Sequence, residues 1–145
     1  MNAEDMWKIF CKNNNLNNKS YEAWAFGDKP DELAELVLQG IKTATSSLYA
    51  LYDIEQEPLP KEGDYSVILN SHGDARCIIK TTRVYVVPFN KVSETHAYRE
   101  GEGDRSLTYW REVHKEFFVD SLKETQLSFH AAMDVVCEEF EVVYR

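Results

Sequence analysis

Apolar residues recur with helical spacing between residues 30 and 41. The positions at i, i+3, i+4 and i+8 are Leu33, Leu36, Val37 and Ile41. Asp28 can cap this helix and Pro30 suits its first turn, while Gly40 permits the left-handed backbone with which helices end. The pattern therefore predicts a helix that stops just before Lys42, from which the chain continues into a strand or turn.

Other segments also have helical spacing. An N-terminal helix is predicted at about residues 3–17, with the run of asparagines at 13–15 near its end, and a shorter helix at residues 47–54. An apolar stripe after residue 106 predicts a longer helix with a core-facing side, made of Leu107, Trp110, Val113, His114, Phe117 and Phe118. On this helix Trp110 and Phe117 are interpreted as packing residues, and His114 as a buried structural histidine.

Alternation of apolar and polar residues predicts strands at residues 21–26, 65–70, 75–80 and 133–144. Residues 71–74 form a hairpin turn between two of them. The stretch 83–87, which Pro88 stops, either continues the strand at 75–80 or starts another. The last segment is read as a closing strand of a barrel. Strands and helices do not alternate regularly, so the fold class predicted is α+β.

The chain has 145 residues, of which 43% are hydrophobic, enough for one core. We expect a single domain, residues 1–145. No basic leader or apolar run of about 20 residues is present, so a soluble, cytoplasmic protein without membrane contact is expected. The three cysteines and four histidines lack the spacing of disulfide frameworks or metal sites, and no metal or other cofactor is predicted.

The formal net charge is −9, which disfavours binding to extended duplex DNA. A small ligand such as a nucleoside, or a short single strand, is favoured instead. A local basic pocket is still compatible with the sequence if several side chains converge, namely Lys42, Arg76, Lys80, Arg83, Arg99, Arg105 and Arg111. The oligomeric state is left open.

Two segments carry candidate chemistry. In Gly40–Thr45, a lysine and a threonine three residues apart can both face a cleft. In Glu100–Ser106, two glycines punctuate a charged loop. That loop has a purely structural interpretation, since glycines permit tight turns and Asp104 or Ser106 can cap the next helix. Arg105 and Arg111 are freer to reach a ligand.

These segments together resemble the ASCH-domain family. The likeness rests on G-x-K-x-x-T at residues 40–45, on H-A-x-x-E at residues 96–100, and on E-G-E-G-D-R-S-L-x-Y-W-R-x-x-H-x-x-F-F at residues 100–118. The resemblance implies a PUA-like fold, a small and mostly antiparallel β-barrel with flanking helices and a cleft at the first motif. It also implies that RNA, a nucleotide or a modified nucleoside is bound there.

Some members of that family are enzymes, and their residues carry over to this chain. The resemblance implies Lys42, Thr45 and Glu100 as catalytic residues of a metal-independent hydrolase, either a nucleoside amidohydrolase or a ribonuclease. Ligand contacts are expected from Gly40, Thr43, Arg105, Ser106 and Arg111. The extended region 102–118 would overhang the cleft and change the substrate. The alternative is a non-catalytic RNA- or nucleotide-binding module in which the hydroxyls only position the ligand.

The chemistry expected of the three catalytic residues is that of an activated hydroxyl. A desolvated Lys42 would take the proton of Thr45, whose oxygen attacks an amide carbonyl. Glu100 would either orient the lysine or pass a proton to the leaving amine.

Overall fold

The computed structural model describes residues 1–145. Its helices are α1 (Ala3–Asn13), α2 (Pro30–Leu38), α3 (Tyr49–Glu55), α4 (Glu94–Glu100) and α5 (Leu107–Ser121). Its strands are β1 (Glu22–Trp24), β2 (Ala44–Leu48), β3 (Tyr65–Leu69), β4 (Ala75–Pro88) and β5 (Asp134–Tyr144), and a 3₁₀ turn covers Phe89–Lys91.

One five-stranded sheet organises the molecule, in the order β1-β3-β4-β5-β2. Only β1 and β3 pair in parallel, and the other neighbours are antiparallel. β1 and β2 are the free edges, so the curved sheet is a half-barrel with helices around it. The predicted α+β class is confirmed.

β4 is a single strand of 14 residues, which decides between the two alternatives for residues 83–87 in favour of continuation. Its register with β5 shifts between Thr81 and Arg83. β5, predicted as a closing strand, lies inside the sheet between β4 and β2, because both of its edges are hydrogen-bonded. A register shift in a long strand bends it, which helps the sheet to curl.

Several boundaries differ from the sequence prediction. α1 ends at Asn13, four residues short of the predicted end, because Asn14 is the C-cap residue and donates its backbone N–H to Phe10 O. Asp28 does not cap α2: the cap position is Lys29, in a left-handed conformation and without a side-chain hydrogen bond. α4 was not predicted, because only seven residues separate the Ser93 cap from Gly101 and no long apolar stripe marks them.

The core lies on both faces of the sheet. Phe89, Trp110 and Phe118 pack with β5 on one side, while Phe26, Val37 and Phe140 form a second cluster under α2. α1 covers Val67 and Ile78 with a third cluster, Met6, Trp7 and Phe10. None of the helices combines the length and hydrophobicity needed to cross a membrane.

Candidate active site

The chain after α2 is held in place by backbone hydrogen bonds from three elements. Gly40 has φ +76°, and the amides of Ile41 and Lys42 both donate to Leu36 O of α2. Thr43 N donates to Arg99 O of α4 over 2.7 Å, and Thr43 O accepts from Phe140 N of β5 over 3.0 Å. Lys42 is therefore fixed at the point where α2, α4 and β5 meet.

Lys42 is buried, with 1% of its surface exposed, and it is paired with two carboxylates. Its Nζ lies 3.1 Å from Glu100 Oε1 and 3.0 Å from Glu102 Oε2, with Glu100 O at 3.4 Å. An ammonium has three N–H donors, and these three acceptors engage all of them. Lys42 thus stands as a fixed positive charge, with no lone pair directed at Thr45.

Glu100 is the centre of a buried hydrogen-bond network. Besides Lys42 on Oε1, its Oε2 accepts from Ser46 Oγ at 2.5 Å and from Trp110 Nε1 at 2.5 Å. His96 Nε2 lies 3.1 Å from the same oxygen and 2.7 Å from Ser46 Oγ. Since His96 Nε2 faces a carboxylate, it is the ring nitrogen that carries a proton, and the buried Nδ1 has no hydrogen-bond partner.

His114 completes the network at 3.4 Å from Glu100 Oε2, while its Nδ1 donates to Trp110 O. Burial alone would lower the pKa of His114, but the Glu100 charge and hydrogen bond outweigh it and raise that pKa. Burial alone would raise the pKa of Glu100, but His114 and Lys42 hold it well below the usual range. Glu100 is therefore an anion with an orienting role, and it holds no proton to pass to a leaving group.

Glu100, Glu102 and His114 bring possible metal-ligand atoms within 4.8 Å of one another. The ammonium of Lys42 already lies against both carboxylates of this group. A divalent ion would therefore have to share those oxygens with a buried positive charge, which repels it. The arrangement fits a lysine-centred site better than a metal site.

A cavity of about 910 Å³ opens in front of this network. Lys42, Thr45, Ser46, Glu100 and His114 form part of its wall. Its apolar lining includes aromatic side chains from several elements, namely Tyr21, Trp24, Phe26, Tyr52, Tyr65 and Phe117. A cavity of this size accommodates a drug-sized or nucleoside-sized molecule.

Acidic side chains outnumber lysines around the cavity. The acidic ones are Glu22, Asp28, Glu55, Glu57, Asp64, Glu100, Glu102 and Glu138, whereas the lysines are Lys42 and Lys61. Of these, Lys42 is already neutralised by Glu100 and Glu102. The potential in the cavity therefore opposes an anionic ligand.

Glu138 lines the cavity on β5, directly opposite Thr45 on β2 in the strand register. Burial raises the pKa of its carboxyl to about 7. The negative charge of Asp64 adds to this rise, a hydrogen bond with Thr81 opposes it, and Glu22 contributes a smaller increase. Glu138 is thus a cavity acid that changes protonation near neutral pH.

The structure brings together the three residues expected to be catalytic, since Lys42, Thr45 and Glu100 all line one cavity. The five expected ligand contacts lie outside its lining. Gly40 follows Gln39, the C-cap residue of α2, Thr43 Oγ1 lies 3.4 Å from Arg99 O, and Ser106 caps α5. Arg105 donates to Tyr98 O and stacks over the Tyr98 ring at 3.6 Å, and Arg111 is solvent-exposed.

The other basic side chains do not converge on a pocket. Arg83 and Arg99 both pair with Glu139. Arg76 pairs with Glu35 of α2, and Lys80 lies over the Tyr65 ring. Tertiary pairing thus distributes these charges over the surface.

Sequence reasoning missed Ser46, Glu102, His114 and Glu138 as residues of the site. His114 and Trp110 were interpreted as core residues, and both are buried, but each also contacts Glu100. The sequence does contain a feature that could have identified Glu138, because it is an acidic residue within a strand rich in apolar β-branched residues. Only the pairing of β5 with β2 shows which residue it faces.

Comparisons with known proteins were consistent with this architecture. A family model described as ASCH domain matches residues 22–144. No curated protein matches the chain. The fold is similar to a hypothetical protein, PH0355, with TM-score 0.58 and 19% identity over 86% of this chain and 100% of that one, a likeness that concerns the fold alone.

Two more similar crystal structures come from bacteria. An ASCH domain from Lactobacillus crispatus JV V101 has TM-score 0.91 and 33% identity, covering 98% of this chain and 94% of that one. Protein EF3133 from Enterococcus faecalis V583 has TM-score 0.90 and 41% identity, covering 97% and 87%. With a family model over most of its length and two such structures, this chain belongs to the ASCH domain family and has its PUA-like fold.

Proposed function

We propose that this protein is a metal-independent hydrolase that cleaves the acyl amide of an uncharged modified nucleoside held in the cavity. The observation that carries the proposal is the buried Lys42–Glu100 pair in the wall of a cavity that also presents the hydroxyl of Thr45. A buried ion pair costs desolvation free energy, so its place at a cavity wall favours a role in chemistry over one in stability.

The charge around the cavity supports an uncharged ligand. Each phosphate group would enter a space in whose wall acidic side chains outnumber lysines and where Lys42 is already paired. An uncharged nucleoside avoids that repulsion, and its base can stack on aromatic side chains such as Trp24 or Phe117. The acidic wall therefore disfavours a ribonuclease or an RNA-binding module relative to a nucleoside hydrolase.

The residues have distinct roles in the proposed reaction. Thr45 supplies the hydroxyl that attacks the amide carbonyl. Lys42, whose three N–H donors are engaged by Glu100 and Glu102, holds both carboxylates in place at the cavity wall. Glu100 holds Lys42 and, through Oε2, also holds Ser46 and His114.

Ser46 is the competing nucleophile, because it also lines the cavity beside Thr45. However, the same hydroxyl donates to Glu100 Oε2, a carboxylate oxygen already shared by several donors. Attack by Ser46 would remove one donor from a buried anion, which is costly. Thr45 does not hydrogen-bond to Glu100, so it is the better candidate for the nucleophile.

The test is mass-spectrometric turnover of a panel of N-acylated nucleosides and short single-stranded RNAs, with EDTA present. Thr45→Ala is expected to lower kcat at least 100-fold, since it removes the attacking atom. Thr82→Ala is a matched control, because Thr82 is an exposed strand threonine bonded only to Glu139 O.

Three outcomes oppose the proposal. Absence of turnover on every nucleoside, with binding in the same cavity, favours the non-catalytic module. Loss of turnover in EDTA that added metal restores would indicate a metal enzyme. Loss in Ser46→Ala but not in Thr45→Ala would reassign the nucleophile.

A further inference from the structure

We propose that Glu138 is the general base and acid of this site: it takes the proton of the Thr45 hydroxyl and delivers it to the leaving amine. The inference rests on the proposed hydrolase function and adds a residue from β5 to a site otherwise built by β2, α4, α5 and the loops that hold Lys42 and Glu102.

The strand register places the two side chains together. Thr45 and Glu138 are directly paired residues of the antiparallel strands β2 and β5. Paired residues project to the same face with Cβ atoms about 4.5–5.5 Å apart, a distance that a glutamate side chain can span to a hydroxyl. Both residues line the cavity, so a ligand carbonyl can reach Thr45 while Glu138 remains beside it.

The surroundings of Glu138 leave it able to exchange a proton. The groups that face it are Asp64, Glu22 of β1, Tyr52 of α3 and Thr81 of β4. None of these is cationic, and Glu138 is part of no ion pair. Burial among acids raises its pKa to about 7, which suits a group that accepts a proton in one step and returns it in the next.

The alternative bases in the site are less suited to this task. All three N–H donors of Lys42 are engaged by Glu100 and Glu102. The pKa of Glu100 is held well below its usual range by His114 and Lys42, which makes its carboxylate a weak base. The pKa of His114 is raised, and its Nε2 faces Glu100 rather than Thr45.

The proton balance of the reaction closes without any other reactant than water. Thr45 Oγ forms a bond to the carbonyl carbon as its proton passes to Glu138. The C–N bond then breaks, and Glu138 returns the proton to the departing amine nitrogen. Water attacks the acyl-threonine and gives its proton to Glu138, which passes it back to Thr45 Oγ as the carboxylic acid leaves.

The experiment measures kcat/KM against pH for the wild type, Glu138→Gln, Glu138→Asp and the matched control Glu141→Gln, whose side chain is exposed on the same strand. Wild-type kcat/KM is expected to rise with pH through about 7, where Glu138 loses its proton. The kcat/KM of Glu138→Gln should fall about 10²–10⁴-fold, and its profile should no longer rise with pH in this range. Glu138→Asp should retain part of the wild-type kcat/KM and part of its rise with pH. Glu141→Gln should match the wild type in both.

The possible results separate this inference from the function on which it rests. A wild type that turns over nucleosides, with Glu138→Gln within threefold of it, contradicts the role of Glu138 and leaves the hydrolase intact. A wild type without turnover contradicts the hydrolase and, with it, this role. Thermal unfolding of Glu138→Gln at pH 8 should give a Tm equal to or above that of the wild type, because the uncharged amide avoids burying an anion. A lower Tm together with lost turnover would indicate a structural role and also overturn the inference.

Discussion

Glu100 is a buried anion whose charge is compensated entirely by protein groups. Lys42 and His114 supply positive charge, and Ser46 and Trp110 supply hydrogen-bond donors. Removing one partner from such a network leaves the others buried without compensation, which costs more than the network itself contributes. Glu100 is therefore the residue at which stability and the proposed chemistry depend most closely on each other.

Glu100→Gln is expected to destabilise the protein by about 3–5 kcal/mol at pH 7, because Lys42 and His114 lose their shared anion. Urea denaturation measures the loss, with the exposed Glu116→Gln as a control that should stay within about 0.5 kcal/mol.

The same substitution has a pH signature. The folded-state pKa of Glu100 lies below its ordinary value of 4.5, so its stabilisation is present above about pH 4.5 and is lost as the pH falls through the folded value. The difference between wild type and Glu100→Gln should therefore shrink on acidification. A difference that is constant from pH 7 down to acid unfolding would contradict the role assigned to this charge.

At the scale of elements, the turn after α4 brings two carboxylates to one lysine. Gly101 separates Glu100 from Glu102 and has φ +75°, so the chain reverses between them and both reach Lys42. A Cβ on Gly101 would lie 2.5 Å from Ile41 O, in the backbone that leads to Lys42. Glycine is required here both by its conformation and by this close approach.

Gly101→Ala is expected to cost about 3 kcal/mol, since strain at positive φ adds to the displacement of Ile41. Gly73→Ala is a matched control, because Gly73 has φ +81° but nothing within 4 Å of the added Cβ. That variant should lose only about 1 kcal/mol. Thermal or urea unfolding compares the two variants. Equal losses of unfolding free energy would show that the contact with Ile41 does not contribute to the cost of Gly101→Ala.

At the scale of the whole molecule, charge determines which ligands can approach. The net charge of −9 and the excess of acidic side chains in the cavity act in the same direction. Arg76, Arg83 and Arg99 pair with Glu35 and Glu139, which do not line the cavity. The cavity lining thus has no excess of basic side chains that would attract a phosphate backbone.

An N-acylated nucleoside is therefore expected to bind at least about tenfold more tightly than its 5′-monophosphate, because two added negative charges meet an acidic wall. Raising the salt concentration should narrow this gap by strengthening phosphate binding, whereas nucleoside binding should hardly change. Isothermal titration calorimetry at low and high salt measures both. Tighter binding of the phosphate that weakens with salt would instead point to a nucleotide-binding module.

Much of the fold was predictable because it follows local rules. Helical spacing located α2 and α5, alternation located β3 and β5, and Gly40 marked the end of α2. α4 and the Lys29 cap were missed, since short helices and left-handed caps leave weak periodic signals. The chain motifs also indicated Lys42, Thr45 and Glu100, which line one cavity.

The sequence by itself therefore determined most of the elements, the α+β class, the family and the residue types that carry chemistry. Only the tertiary structure decided how these groups meet. Lys42 lies 58 residues from Glu100 in the chain, and the hydrogen bond from Thr43 N to Arg99 O joins their segments. Thr45 lies far from Glu138 in the chain, and the pairing of β2 with β5 places the two residues opposite each other. Protonation follows from burial and neighbouring charge, which depend on packing between distant segments and leave no local pattern to read.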